Sequence, residues 1–130
     1  MIEINNTTKR KVDEQFLKKI AQEVLNAEKS GKSNLSVAIV GVKKSQELNK
    51  IYRGKDKVAN VLSFSEKEFG LGEIVLCPKE IEKDVKKYGI LFQQVLALML
   101  IHGILHLLGY SHSAMAKKEK HYEVLYRNRS

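Results

Sequence analysis

Tryptophan is absent from this 130-residue chain, aromatic residues make up 7% of it, and it holds one proline and one cysteine. A lone cysteine, Cys77, cannot close an intramolecular disulfide, which excludes the disulfide-stapled class of small secreted domains. Its neighbours Ile74, Val75 and Leu76 read as a strand, so the thiol is expected to be buried, in the reducing cytoplasm. The start Met1-Ile2-Glu3-Ile4-Asn5 lacks the basic and apolar regions of a secretory signal. Carboxylates are also scarce, with 15 Asp and Glu against 23 Lys and Arg, for a net charge of +8 and a pI near 9.5. A molecule so charged is drawn to polyanions, nucleic acid among them.

Only Ile90 to Leu108 approaches the length of a membrane span. Gln93, Gln94, His102, Gly103 and His106 interrupt it. Such polar groups are costly in lipid, and a buried helix of a water-exposed domain accommodates them at one end, so no membrane is expected.

With 43% hydrophobic residues, the chain has material for one core and one domain over residues 1–130. Ile2 and Ile4 alternate with polar residues as a strand does, and Val12, Phe16, Ile20 and Val24 recur at a helical spacing. Leu35 to Val42 predicts a strand covered on both faces. Ser45 then caps a short helix that turns Leu48, Ile51 and Tyr52 inward and stops before Gly54. Asn60–Ser65 and Gly72–Cys77 form two further strands around a glycine turn. Beyond Pro78, Ile81, Val85 and Tyr88 mark a helix that Gly89 closes, and the buried helix of residues 90–108 follows, stopped by Gly109. Met115, Tyr122, Leu125 and Tyr126 give a last helix. The order β-α-β-α-β-β-α-α-α predicts an α/β (α+β) fold: a small mixed sheet covered by helices, with a central buried helix carrying histidines.

Those histidines are the sharpest feature. His102, His106 and His112 fall within eleven residues. Residues four apart lie one turn above each other, so His102 and His106 share a helix face, and Gly109 lets the chain turn and bring His112 back. Burying imidazoles without partners costs free energy, which a metal removes by taking their lone pairs. Three imidazoles suit zinc, although nickel, copper or iron bind them too. Three protein ligands leave a fourth position open, as in catalytic zinc sites, unless Cys77 fills it.

The His-x3-His-x5-His spacing resembles that of metzincin proteases, but where those carry a catalytic Glu this chain has Gly103. The run His102-Gly103-Ile104-Leu105-His106-Leu107-Leu108-Gly109-Tyr110-Ser111-His112 is closer to the His-Gly-x-Leu-His-Leu-x-Gly-Tyr-Asp-His signature of the YbeY family of endoribonucleases. Leu48-Asn49-Lys50-Ile51-Tyr52-Arg53 resembles that family's Leu-Asn-x-x-Tyr-Arg, and Val61-Leu62-Ser63-Phe64 with Leu71-Gly72-Glu73-Ile74-Val75 resembles its paired strands. The likeness runs from residue 45 to residue 125. It departs at Ser111 and Asn60, where the family usually has Asp, and Glu73 is a candidate to supply the missing carboxylate.

The resemblance implies one Zn2+ held by His102, His106 and His112, and a catalytic Arg53 that handles the scissile phosphate. It implies a zinc-dependent endoribonuclease that prefers single-stranded RNA. Its substrate would be ribosomal RNA of the small subunit, at the 3′ end of 16S rRNA and in ribosome quality control, with ribosomal proteins or an assembly GTPase as partners. Lys43-Lys44, Arg53 to Lys57, Lys86-Lys87 and Lys117 to Lys120 are the candidate phosphate contacts, and Tyr52, Phe64 and Tyr110 the candidate base stackers. Two other readings share these residues: a metal-dependent peptidase or amidase, and a non-catalytic ribosome assembly factor with a structural metal.

Overall fold

Strand β1 (Ile2–Asn6) pairs in parallel with β2 (Leu35–Ile39), and β2 pairs in parallel with β4 (Gly72–Leu76). Strand β3 (Val61–Ser65) lies antiparallel on the far side of β4, so the sheet order is β1-β2-β4-β3. The computed structural model describes residues 1–66 and 70–127, with side chains through Glu123. Leu125 and Tyr126, expected on an apolar face, lie outside the described side chains.

One face of the sheet is the floor of the main core. Leu35, Val37, Ile39, Ile74 and Leu76 point to it and meet helix α1 (Glu14–Ala27) and helix α5 (Phe92–Leu107). Helix α1 starts at Asp13, whose carboxylate accepts the Phe16 N–H at 3.0 Å, and it buries Leu17, Ile20, Ala21, Val24 and Leu25. Helix α5 spans 16 residues, about 24 Å at 1.5 Å per residue and so short of a bilayer core. Among the described residues no single helix is long and apolar enough to cross a membrane.

The opposite face carries a smaller cluster of Val40, Leu62 and Val75, with Leu48 reaching it from helix α2 (Val42–Arg53). Two expectations change here. Strand β2 ends at Ile39, and Val42 already opens α2 behind Gly41, so Ser45 is not a cap but a buried residue within the helix. Ile51 and Tyr52 face outward, 62% and 65% exposed. Beside Leu48, the inward face of α2 carries Ser45 and Asn49, one turn apart, which hold the loop before β3. Ser45 Oγ donates to the Ala59 carbonyl at 2.6 Å and accepts its N–H at 2.9 Å, while Asn49 Nδ2 donates to the Lys57 carbonyl at 2.9 Å.

The helix expected after Pro78 is broken into α3 (Pro78–Ile81), a 3-10 turn (Glu82–Asp84) and α4 (Val85–Tyr88). Helix α6 (His112–Arg127) then packs back along α5 through Met115 and Tyr122.

Candidate functional site

The α5–α6 corner carries all three candidate histidines. Helix α5 closes in a Schellman arrangement: Gly109, at φ +85°, donates to the His106 carbonyl at 3.1 Å, and Tyr110 N–H donates to Leu105 at 3.3 Å. His102 is half-buried, His106 one turn later is exposed, and His112 is the exposed first residue of α6. Ser111 caps that helix, its Oγ accepting the Ala114 N–H at 3.3 Å.

Between the first two histidines, Gly103 is buried against the sheet. A Cβ there would stand 3.0 Å from two atoms of Ile74, and Ser63 Oγ donates to the Gly103 carbonyl at 3.3 Å. The position that bears the general base in a metzincin therefore points into β4, away from the histidine stripe.

A partner for His102, absent from the candidates above, comes from α6. Glu119 Oε1 is hydrogen-bonded to His102 Nδ1. Both line a small cavity of about 70 Å³ with Tyr88, Met99 and Glu123. The signal was present: Glu119 lies four residues after Met115 and three before Tyr122, the two buried side chains among those described in α6. A carboxylate on that inward stripe needs a polar partner. Its place inside the basic run Lys117 to Lys120 hid it.

Among the described residues no three His, Cys, Asp or Glu side chains are gathered at ligand spacing. The donor set nonetheless suits a zinc-like ion in kind. With Nδ1 of His102 protonated and donating to Glu119, Nε2 keeps the lone pair that a metal takes, the pattern in which a carboxylate fixes the tautomer of a ligating histidine. Cys77 fits poorly as a fourth ligand: it is 1% exposed, and burial pushes its thiol above the ordinary value, against the thiolate a metal requires. Glu73 does not serve the histidines either. It is exposed and alternates with Ile74, so it stands on the face of β4 turned away from α5.

Arg53 is set apart from the histidines. It is the last residue of α2, exposed, and lines a cleft of about 300 Å³ with Lys55, Lys57, Asn60, Lys83 and Asp84, in which no histidine takes part. Asn60 links the cleft to α5: its Nδ2 donates to Asp84 at 3.2 Å and approaches Met99 Sδ at 3.5 Å, one turn before His102.

Residues 3–126 match the family model described as Endoribonuclease YbeY. This chain belongs to the YbeY family. Among curated relatives named Endoribonuclease YbeY, that of Aquifex aeolicus is 37% identical over 90% of this chain and 81% of its own length. The relative from Sulfurovum is 37% identical over 92% of this chain and 86% of its own. The match to the Bdellovibrio bacteriovorus relative, at 42% identity, covers 70% of this chain and 61% of that protein. A solution structure of a Thermotoga maritima protein, 32% identical, superposes with a TM-score of 0.68 over 95% of this chain and 87% of its own.

Both departures from the YbeY signature have a local account. Ser111 retains the helix-capping ability of the usual Asp. Asn60 presents a donor to Asp84, where an Asp would set two carboxylates against each other. The corner of this family member is in turn tied to α1 by Glu28, whose side chain is 4% exposed. Glu28 accepts from the Tyr110 hydroxyl, from Tyr122 at 2.7 Å and from Lys118 Nζ at 3.1 Å. Burial pushes the Glu28 carboxyl up, but these three donors outweigh it and hold it below the ordinary range. Lys118 is thereby committed to an internal partner, leaving Lys117 and Lys120 as the exposed cations of that run.

Proposed function

We propose that this protein is a cytoplasmic, zinc-dependent endoribonuclease that cuts single-stranded RNA of the small ribosomal subunit, in maturation of the 3′ end of 16S rRNA. Membership of the YbeY family over residues 3–126, with the histidine run intact, is the observation that carries the reading. His102, His106 and His112 would hold the ion, with Glu119 orienting His102 through Nδ1. When bound, zinc supplies Lewis acidity and a readily ionised water for attack at phosphorus. Arg53 is the phosphate handler: a guanidinium stays charged at working pH and offers forked donors as negative charge builds on the phosphate oxygens. Its cleft holds four cations, Arg53, Lys55, Lys57 and Lys83, against Glu80 and Asp84, which favours a polyanion. RNA would run between this cleft and the histidine corner along the Asn60–Met99 contact. Ribosomal proteins or an assembly GTPase would present that RNA.

The orientation of Gly103 weighs against the peptidase reading, since no side chain at that position can reach a substrate. Elemental analysis of the purified protein, with cleavage of a single-stranded RNA in the presence and absence of chelator, tests the proposal. The expected result is one zinc per chain and cleavage that stops on chelation and returns with zinc. Retention of RNA binding with no cleavage at full zinc occupancy would instead identify an assembly factor.

A further inference from the structure

Helix α2 buries two polar side chains beside Leu48 and leaves two large apolar ones outside. Ser45 and Asn49 are buried at 1% and 2% exposure, while Ile51 and Tyr52 stand in solvent at 62% and 65%. The buried pair fastens the loop that carries Lys55 and Lys57, by the three hydrogen bonds to Ala59 and Lys57 described above. Gly54, at φ +68°, turns the chain directly after Arg53, and the N–H groups of Gly54 and Lys55 satisfy the carbonyls of Lys50 and Asn49. The partial negative charge of the helix end is thereby capped, and cations crowd it. Among the described residues Arg53, Lys55 and Lys57 make no ion pair.

One residue before Arg53 on α2, the Tyr52 ring leans on Phe64, with centroids 5.1 Å apart and planes at 59°. Phe64 is half-buried beneath it, so the contact fixes the tyrosine ring and leaves most of its surface open. Of the other aromatic residues that could meet a base, Tyr110 has its hydroxyl engaged by Glu28. An exposed aromatic ring in the last turn of a helix that ends in Arg53 and runs into a braced loop bearing Lys55 and Lys57 is a combination suited to single-stranded nucleic acid, where rings take bases and cations take phosphates. A protein partner of an apolar patch gains little from a rim of one charge sign, whereas RNA uses both features.

We propose that Tyr52 is a base-stacking platform, on which one nucleobase of a single-stranded RNA lies while the adjoining phosphates contact Arg53, Lys55 and Lys57. The inference rests on RNA as the substrate class and adds the place where a base is held, apart from the histidine corner. Stacking on a ring tolerates any base, so the platform selects unpaired over paired RNA without reading sequence.

The test uses the full chain in chelator, so that binding is read without cleavage. The probe is a short single-stranded RNA carrying a fluorescent adenine analogue that is quenched when stacked. The wild type and Tyr52→Phe should both quench it. Tyr52→Leu keeps an apolar cover over Phe64 but offers no ring, and should lose the quench and at least about fivefold in affinity. Thermal melts of the three proteins should coincide. Unchanged quench and affinity in Tyr52→Leu would overturn the proposal, as would absence of quench in the wild type at saturation. Equally tight, Tyr52-dependent binding of duplex RNA would also overturn it. So would sedimentation showing that Tyr52→Leu abolishes self-association while RNA affinity is unchanged, which would assign the face to a second copy. Cleavage with zinc is measured separately, so a protein that quenches but does not cut would retain the platform and lose the nuclease reading.

Discussion

The Tyr122 hydroxyl donates to Glu28 at 2.7 Å across 94 residues of sequence, fastening the middle of α6 to the residue that ends α1. Tyr110, three residues beyond α5, and Lys118 converge on the same carboxylate, so one buried acid ties three residues of the α5–α6 corner to the end of α1. Because Glu28 is held below its ordinary value of 4.5, its contribution is fully present above that pH and is lost as pH falls through the lowered folded value. Glu28→Gln is expected to cost about 1.5–3 kcal/mol at neutral pH, the range for hydrogen bonds to a charged group. Melting temperatures followed by circular dichroism from neutral to acid pH should fall more steeply below pH 4.5 in the wild type than in the variant. Parallel acid limbs would remove Glu28 from that role.

Glu119→Gln removes the carboxylate that meets His102 Nδ1 and leaves the fold. The expected outcome is zinc affinity lower by roughly ten- to hundredfold, the usual cost of losing a carboxylate behind a ligating histidine. Competition with a chromophoric chelator measures this directly. Unchanged affinity would make the contact a link between helices alone.

Arg53→Lys retains charge in an exposed position but loses the planar fork. Single-turnover cleavage of a short RNA should slow by at least about tenfold, with zinc content and melting temperature unchanged. RNA affinity should change little, because the fork matters most as charge develops in the transition state. A rate equal to the wild type would reduce Arg53 to a charge among others.

Gly103→Glu would restore the residue order of a metzincin, yet its side chain would be driven into Ile74, which is 0% exposed. Destabilisation by about 3 kcal/mol or more is expected, with no proteolysis of casein. Casein cleavage by a stably folded variant would refute the assigned orientation of position 103.

The local features were legible in the residues themselves. Short-range spacing sets the helical stripe of His102 and His106, the strand alternation and the turn at Gly109, because hydrogen bonds of helices and caps join residues three to five apart. Hence the order of strands and helices follows from periodicity, and the YbeY likeness from contiguous motifs. Where partners are distant in sequence, local pattern has no hold on them. Ser45 looked like a cap, but its hydroxyl is claimed by Ala59, and that choice turned Ile51 and Tyr52 to solvent. Glu119 became a partner of His102 only when α6 folded back on α5, and Glu73 was excluded only by the sheet face on which β4 presents it. Glu28 reads as one more helix-end carboxylate until α1, Tyr110 and α6 bury it together. A buried charge must find its donors wherever the packed chain supplies them, and only the tertiary structure decides which they are.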